Sequence, residues 1–156
     1  MVEALFVAAG IGGVIARKAT LAGAAGGCQA EIGAASSMAA GAAVYLMGGN
    51  GEAISHGAAL AMKGLLGLVC DPVAGLVEVP CIKRNVIGAV NALTSADMVL
   101  AGIRSRIPAD EVFDAMRQVG RALPEELRET ARGGLAVTPT GKNIREMLEE
   151  GSPDGY

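Results

Sequence analysis

The sequence has very few aromatic residues: they make up 3% of its 156 positions, and tryptophan is absent. Hydrophobic residues nevertheless amount to 51%, so the core must be built from Ala, Leu, Val, Ile and Met. Strands favour β-branched and aromatic residues, whereas Ala is the best helix former. The composition therefore predicts an all-α protein, a compact bundle of helices rich in small residues, as a single domain over residues 1–156.

The chain also lacks a basic block. Its 13 basic and 16 acidic residues give a net charge of −3, and no aromatic residues are interleaved with the basic ones, which argues against a nucleic-acid partner. Cysteine is scarce, and its count of three is odd, so the cysteines cannot form a closed set of disulfides. Without a signal-peptide pattern, these features predict a reduced, cytoplasmic protein.

Charge is missing from residues 32–51, and twenty uncharged residues are about enough to span a bilayer. The stretch is bracketed by Glu31 and Glu52, contains Ser36 and Ser37, and has few strongly apolar side chains. We therefore predict a buried helix of small residues and no membrane association. A small Ala/Gly-rich membrane protein remains the alternative.

Glycine and proline punctuate the rest of the chain. Residues 5–18 are predicted to form one small-residue helix, or a helix pair broken near the glycines. A dinucleotide turn is disfavoured because Ile15 stands where that fingerprint needs Gly or Ala. The further predicted helices run from Cys28 to Gly48, over 49–69, from Asn85 to Gly102, from Pro108 as an amphipathic helix, from Pro124 to Gly133 and over 142–150, followed by a loose tail.

The stretch CDPVAGLVEVPCIKRN, residues 70–85, combines cysteine, proline and charge. Pro72 and Pro80 are incompatible with a continuous helix or a central strand. We therefore predict an irregular loop that carries Cys70 and Cys81.

The cysteine spacing alone does not define a site. Forty-one residues separate Cys28 from Cys70 and ten separate Cys70 from Cys81, which is neither a zinc-ribbon nor a ferredoxin spacing. Three unrelated buried cysteines fit it as well. The context favours a shared site, because Cys28 opens a helix whose N-terminus stabilises a thiolate. Lys83 and Arg84 add positive charge suited to a thiolate cluster or a substrate carboxylate.

Three blocks, GGCQAEIGAASSMAA, LGLVCDPVAGLVEVPCIKRN and RETARGGLAVTPTG, resemble the iron–sulfur L-serine dehydratase (L-serine ammonia-lyase) family, in particular the α chain of its two-subunit type. The resemblance runs from about Gly26 to Gly141. It implies that Cys28, Cys70 and Cys81 bind a [4Fe–4S] cluster that acts as a Lewis acid. It also implies deamination of L-serine to pyruvate and ammonia, with a β chain as partner.

Two departures from the family pattern shape this expectation. The family's α chains have a further N-terminal segment with a Gly/Ser-rich, cysteine-containing substrate motif. Nothing like it precedes Met1, so the resemblance covers about their C-terminal half. Some single-chain members end in a cysteine that caps the fourth iron, whereas this sequence ends in GSPDGY. The alternative to an active dehydratase is therefore a catalytically incomplete, cluster-binding chain that needs a partner chain. We also expect an oligomer or a partner to cover the helices before residue 70.

The residues around the cysteines leave several roles open. The base that takes the α-proton is not identified: His56, the only histidine, is suited to proton transfer, but its place near a helix start favours a surface or capping role. Asp71 is either a second-layer group that tunes the cluster or a turn residue. We predict that Lys83, Arg84 and Asn85 bind the substrate carboxylate, the alternatives being solvent exposure for the two cations and a helix start at Asn85.

Overall fold

The computed structural model describes residues 1–151. Within that range the chain forms helices and turns and no strand, apart from one isolated parallel bridge between Cys70 and Arg128. This confirms the predicted all-α class. The α-helices are α1 Val2–Lys18, α2 Gly23–Gly26, α3 Ala34–Leu46, α4 Gly51–Lys63, α5 Cys81–Leu100, α6 Ala109–Ala122 and α7 Pro139–Glu149.

Helix α3 lies at the centre and packs against α1, α4 and α5. It bears no charged side chain, and its small residues let three neighbouring helices approach closely. The buried residues of α3 are Ala34, Ser36, Ser37, Ala40, Gly41 and Val44. The uncharged stretch is therefore a buried helix of small residues, as predicted. Among residues 1–151, none of the helices is both long and apolar enough to cross a membrane.

The larger side chains of the core come from the helices around α3. Val112, Phe113 and Met116 of α6 are buried against Ile15 of α1 and Met62 of α4. The remaining positions of α6 are largely charged, which confirms the amphipathic helix predicted after Pro108. Burying apolar side chains of this size stabilises a fold by about 1.5–3 kcal/mol each, so this cluster compensates for the scarcity of aromatic residues.

Helix α1 is continuous through its glycines, so of the two predicted alternatives the single helix is the one that forms. Gly12 faces α3, where a Cβ atom would lie only 2.9 Å from Sδ of Met38. Here glycine serves close packing of two helices and does not end one.

Other boundaries also differ from the prediction. Helix α5 starts at Cys81 and not at Asn85, because Pro80 is tolerated immediately before a helix. The helix predicted from Pro124 is only a 3-10 turn, Glu125–Leu127, and α4 ends at Lys63. Helix α7 begins at Pro139, earlier than expected, since the Thr138 hydroxyl caps it. The predicted loose tail, from residue 152 onward, lies outside the described residues.

Candidate metal centre

The three cysteines converge at one point in the structure. Their sulfur atoms all lie within 4.8 Å of one another, and the three side chains are buried free thiols. Cys28 precedes the central helix, Cys70 lies in a loop, and Cys81 is the first residue of α5. The cysteines thus form a group that could hold a metal ion, which we call the cysteine cluster.

A π-helical turn, Gln29–Gly33, connects Cys28 to α3. Such turns contain one residue more than an α-helical turn and occur frequently at functional sites. The turn is fixed to the loop before Cys70, because the backbone N–H of Gln29 donates to the carbonyl of Leu68 at 3.0 Å. This contact holds the segments of Cys28 and Cys70 side by side.

The buried side chain of Gln29 secures the same turn from the other side. Its Nε2 donates to the carbonyl of Met116 at 3.0 Å, and its Oε1 accepts from the N–H of Gly67 at 3.0 Å. Sequence reasoning missed this residue, because nothing in the local pattern shows that its partners lie 87 and 38 positions away. Gln29 is thus a buried polar support of the cysteine cluster.

Cys70 is held by its backbone. Its N–H donates to the carbonyl of Leu127 at 2.9 Å, and its carbonyl accepts from the N–H of Glu129 at 2.8 Å. Glu129 and Ala131 both have positive φ, at 67° and 53°. Such non-glycine conformations store strain and cluster at functional sites. The two hydrogen bonds thus hold the RETARGG block directly against the cysteine loop.

The charge state of the cluster follows from its geometry. A hydrogen bond from Cys70 lowers the pKa of Cys28 to about 7 despite its burial, and the Arg84 guanidinium contributes to the lowering. Burial and the negative charge on Cys28 raise the pKa of Cys81 to about 11, and the hydrogen bond to Cys28 with burial raises the pKa of Cys70. Without a bound cation, a single thiolate on Cys28 is therefore favoured. Deprotonation of Cys70 and Cys81 requires a cation that offsets their negative charge.

Asp71 and Arg84 form an ion pair beside the cluster. Arg84 Nη1 lies 2.6 Å from Asp71 Oδ1, and the two side chains are only 16% and 4% exposed. Arg84 Nη1 also donates to the carbonyl of Val69 at 2.9 Å. Although burial lowers the pKa of Arg84, its contacts with Asp71 and Cys28 outweigh that effect and raise it. Asp71 is therefore a buried partner of Arg84 and not a solvated turn residue.

The other two predicted substrate-binding residues point elsewhere. Lys83 is exposed, and its Nζ donates to the carbonyl of Glu78 at 2.8 Å. Asn85 is exposed at a groove of about 160 Å³ that Ile32 and Gly88 also line. The alternative of a helix start at Asn85 is wrong, because α5 begins at Cys81. The substrate-binding role of Lys83, Arg84 and Asn85 stays a prediction.

His56 lies far from the cysteine cluster. Its Nε2 is 3.5 Å from Oε1 of Glu52, and it lines a cavity of about 270 Å³ with Val99 and Leu100. These two residues are at the C-terminal end of α5, whereas Cys81 is at the other end, and a helix of 20 residues is about 30 Å long. His56, whose side chain is 20% exposed, is thus largely buried and lies apart from the cluster.

Comparison with known proteins gives one family. A family model described as serine dehydratase alpha chain matches residues 1–136. A probable L-serine dehydratase alpha chain of Bacillus subtilis (strain 168) is 56% identical over 152 residues, covering 97% of this chain and 51% of that protein. A probable L-serine dehydratase alpha chain of Latilactobacillus sakei is 64% identical over 144 residues, covering 92% of this chain and 69% of that protein.

A third relative, the L-serine dehydratase alpha chain of Peptoniphilus asaccharolyticus, is 54% identical over 143 residues, covering 91% of this chain and 49% of that protein. The chain thus spans about half the length of the Bacillus subtilis and Peptoniphilus asaccharolyticus proteins and 69% of the Latilactobacillus sakei protein. The matched part contains the whole cysteine cluster.

Proposed function

This chain belongs to the serine dehydratase alpha chain family, and from that membership we propose that it is the cluster-bearing part of a lyase that deaminates L-serine to pyruvate and ammonia. The observation that carries the proposal is the convergence of Cys28, Cys70 and Cys81, whose sulfur atoms lie within 4.8 Å of one another. Three protein segments that are distant in sequence supply them. Such convergence is expected of ligands that share one group.

The donor set fits an iron–sulfur cluster. Thiolates are soft ligands that select iron–sulfur clusters, zinc or copper(I), and all three thiols are buried without a disulfide. We propose that Cys28, Cys70 and Cys81 hold a [4Fe–4S] cluster. Because free thiols persist in reducing compartments, we propose a cytoplasmic location.

The chemistry requires expulsion of the β-hydroxyl of serine and removal of its α-proton. When held by the three cysteines, the cluster would supply a Lewis acid that assists departure of the hydroxyl. Lys83 and Asn85 are the exposed polar side chains next to Cys81 in the first turns of α5. We propose that they bind the substrate carboxylate by charge and hydrogen bonding. Because His56 is remote from the cluster, we do not propose it as the proton acceptor.

A partner is the second part of the proposal. Leu5 and Phe6 of α1 are 68% and 73% exposed, and Val86 and Val90 of α5 are 63% and 59% exposed. Apolar faces of this kind mark interaction surfaces. We propose that they are covered by a second copy, by a β chain or by the additional length that the relatives have. The chain by itself would then bind the cluster but require a partner for turnover.

Iron and sulfide content of protein purified without oxygen tests the proposed cluster. We expect four iron and four sulfide ions per chain, as the [4Fe–4S] formula demands, and a brown colour that oxygen bleaches. The single variants Cys28→Ala, Cys70→Ala and Cys81→Ala should lose the iron and sulfide. Ser37→Ala, which changes a small buried residue outside the cluster, should retain both. Bound zinc without sulfide, or no metal at all, contradicts the cluster.

Pyruvate release tests the activity. The loaded chain is assayed with L-serine for release of pyruvate and with L-threonine for release of 2-oxobutanoate, alone and together with a β chain and the additional α-chain length of a relative. We expect serine turnover only in the complemented sample. Turnover by the chain alone disproves the need for a partner, and a loaded, complemented sample that releases no pyruvate disproves the lyase activity.

A further inference from the structure

Arg84 is held away from solvent by fixed contacts on both sides of Cys70. Its Nη1 donates to the carbonyl of Val69 at 2.9 Å and to Oδ1 of Asp71 at 2.6 Å, and these two residues flank Cys70 in sequence. Arg84 itself lies one helical turn after Cys81. One guanidinium therefore connects two of the three cysteine-bearing segments.

Asp71 connects the same pair to the segment of Leu135, which carries no cysteine. Its second oxygen, Oδ2, accepts from the N–H of Leu135 at 2.8 Å. Both carboxylate oxygens are thus engaged, and the side chain is 4% exposed. A buried carboxylate is tolerated only when it is paired and hydrogen-bonded, so Asp71 and Arg84 depend on each other.

From these contacts we infer that Arg84 is a positioning residue that sets the charge around the cluster, and that Asp71 moderates that charge; the inference rests on the proposed cluster. Arg84 contacts both chain neighbours of Cys70 and follows Cys81 by one turn, so its positive charge lies near the cluster, and the Asp71 carboxylate paired with it offsets part of that charge. Net charge and hydrogen bonds to the ligand sulfurs set the reduction potential of iron–sulfur clusters.

The two members of the pair should therefore shift the potential in opposite directions. Arg84→Met removes the cation and leaves the Asp71 carboxylate unpaired, which disfavours the more negative, reduced cluster and lowers the potential. Asp71→Asn leaves the cation uncompensated and raises it. Arg84→Lys should remain near the wild-type value, because both contacts come from the single nitrogen Nη1 and an ammonium can replace it.

The experiment is a redox titration of the loaded full chain without substrate, followed by electron paramagnetic resonance of the reduced cluster. The rate of iron loss to a chelator is measured in parallel, and we expect it to rise by roughly 10-fold to 100-fold in Arg84→Met, as for other supports of metal ligands. Arg117→Met is the matched control, because it removes an ion pair to Asp114 on α6. Its potential and rate should equal the wild-type values.

Each outcome decides between the two proposals. If the wild-type chain loads no cluster, the proposed function and this inference both fail. If the wild-type chain loads and the potential is unchanged, or both variants shift it in the same direction, only this inference fails. If Arg84→Met does not load, a higher potential in Asp71→Asn with Arg84→Lys near the wild-type value supports the inference, and any other result overturns it.

Discussion

Gly134 sits against the Asp71 carboxylate with a backbone φ of +58°. A Cβ atom at this position would lie 2.3 Å from Oδ2 of Asp71, the oxygen that accepts from Leu135. Any other residue must therefore displace the carboxylate that holds Arg84. The glycine in the GGLAV stretch is required by the support of the cysteine cluster and not by a turn alone.

Gly134→Ala should lower the free energy of unfolding by about 2–5 kcal/mol, the sum of about 1–2 kcal/mol for the left-handed backbone and about 1–3 kcal/mol for overpacking. Gly48→Ala is the control, because Gly48 also has a positive φ, +86°, but nothing lies within 4 Å of its Cβ position. Urea denaturation of both metal-free variants measures the difference. Equal losses in the two variants would show that the contact with Asp71 contributes nothing.

Single residues differ in how far the sequence revealed them. The resemblance pointed to Cys28, Cys70 and Cys81, and the structure brings their side chains together. The sequence suggested Asp71 as a second-layer group and Arg84 as a cation beside the thiolates, but not that the two pair, and it gave no sign of Gln29. These contacts depend on where separate segments lie after folding. Hydrogen-bond partners 87 positions apart, as for Gln29 and Met116, leave no periodic signal in the sequence.

At the scale of elements, one asparagine ties three helices together. Asn91 of α5 donates from Nδ2 to the hydroxyl of Ser36 on α3 at 2.9 Å and to the carbonyl of Ala61 on α4 at 2.8 Å. The Ser36 hydroxyl in turn donates to the carbonyl of Gly88 at 2.8 Å. The network fixes the position of α5, and with it the position of Cys81 at the start of that helix.

Asn91→Leu should lower the free energy of unfolding by about 1–3 kcal/mol, because it removes two hydrogen bonds and leaves partly buried partners unpaired. Asn143→Leu, on the exposed side of α7, is the matched control and should change it by less than about 0.5 kcal/mol. Thermal and urea unfolding of the metal-free chains give the comparison. If both variants unfold like the wild type, the network does not hold α5 in place.

The long helices were predictable, whereas their boundaries, and the 3-10 turn that replaces the helix predicted from Pro124, were not. The uncharged small-residue stretch and the amphipathic stripe after Pro108 each gave the right helix. The start of α5 was missed because Asn85 looks like a cap while Pro80 looks like a break, although proline is well tolerated just before a helix. Local signals conflict at such helix ends. In the structure α5 begins at Cys81, four residues earlier than predicted, and Cys81 packs against the other two cysteines.

At the scale of the whole molecule, most of the exposed large apolar side chains that belong to α-helices lie on α1 and α5. The sequence led us to expect a covered surface before residue 70, which includes Leu5 and Phe6 of α1. The apolar face of α5, with Val86 and Val90, lies after that residue and was not anticipated. Its exposure is visible only once α3 is seen to occupy the opposite side of α5.

We expect the wild-type chain to have a mass in solution above the 15.6 kDa of one chain, because burying these apolar faces is favourable. Comparison of Val86→Ser/Val90→Ser with Phe6→Ser by light scattering after gel filtration identifies which helix associates. Gln118→Ser, an exposed polar change on α6, should leave the mass unaltered. A wild-type chain that is monomeric at every concentration rules out self-association through either face.

The number of residues in the π-helical turn Gln29–Gly33 determines the direction of Cys28 relative to α3. Deleting one residue from it would convert the turn to regular α-helix without loss of backbone hydrogen bonding. However, each residue of an α-helix advances by about 100° around the axis, so Cys28 would rotate away from Cys70 and Cys81 while α3 stayed in place. Substitutions can be absorbed along this segment, but its residue count is fixed by the direction in which one sulfur must point.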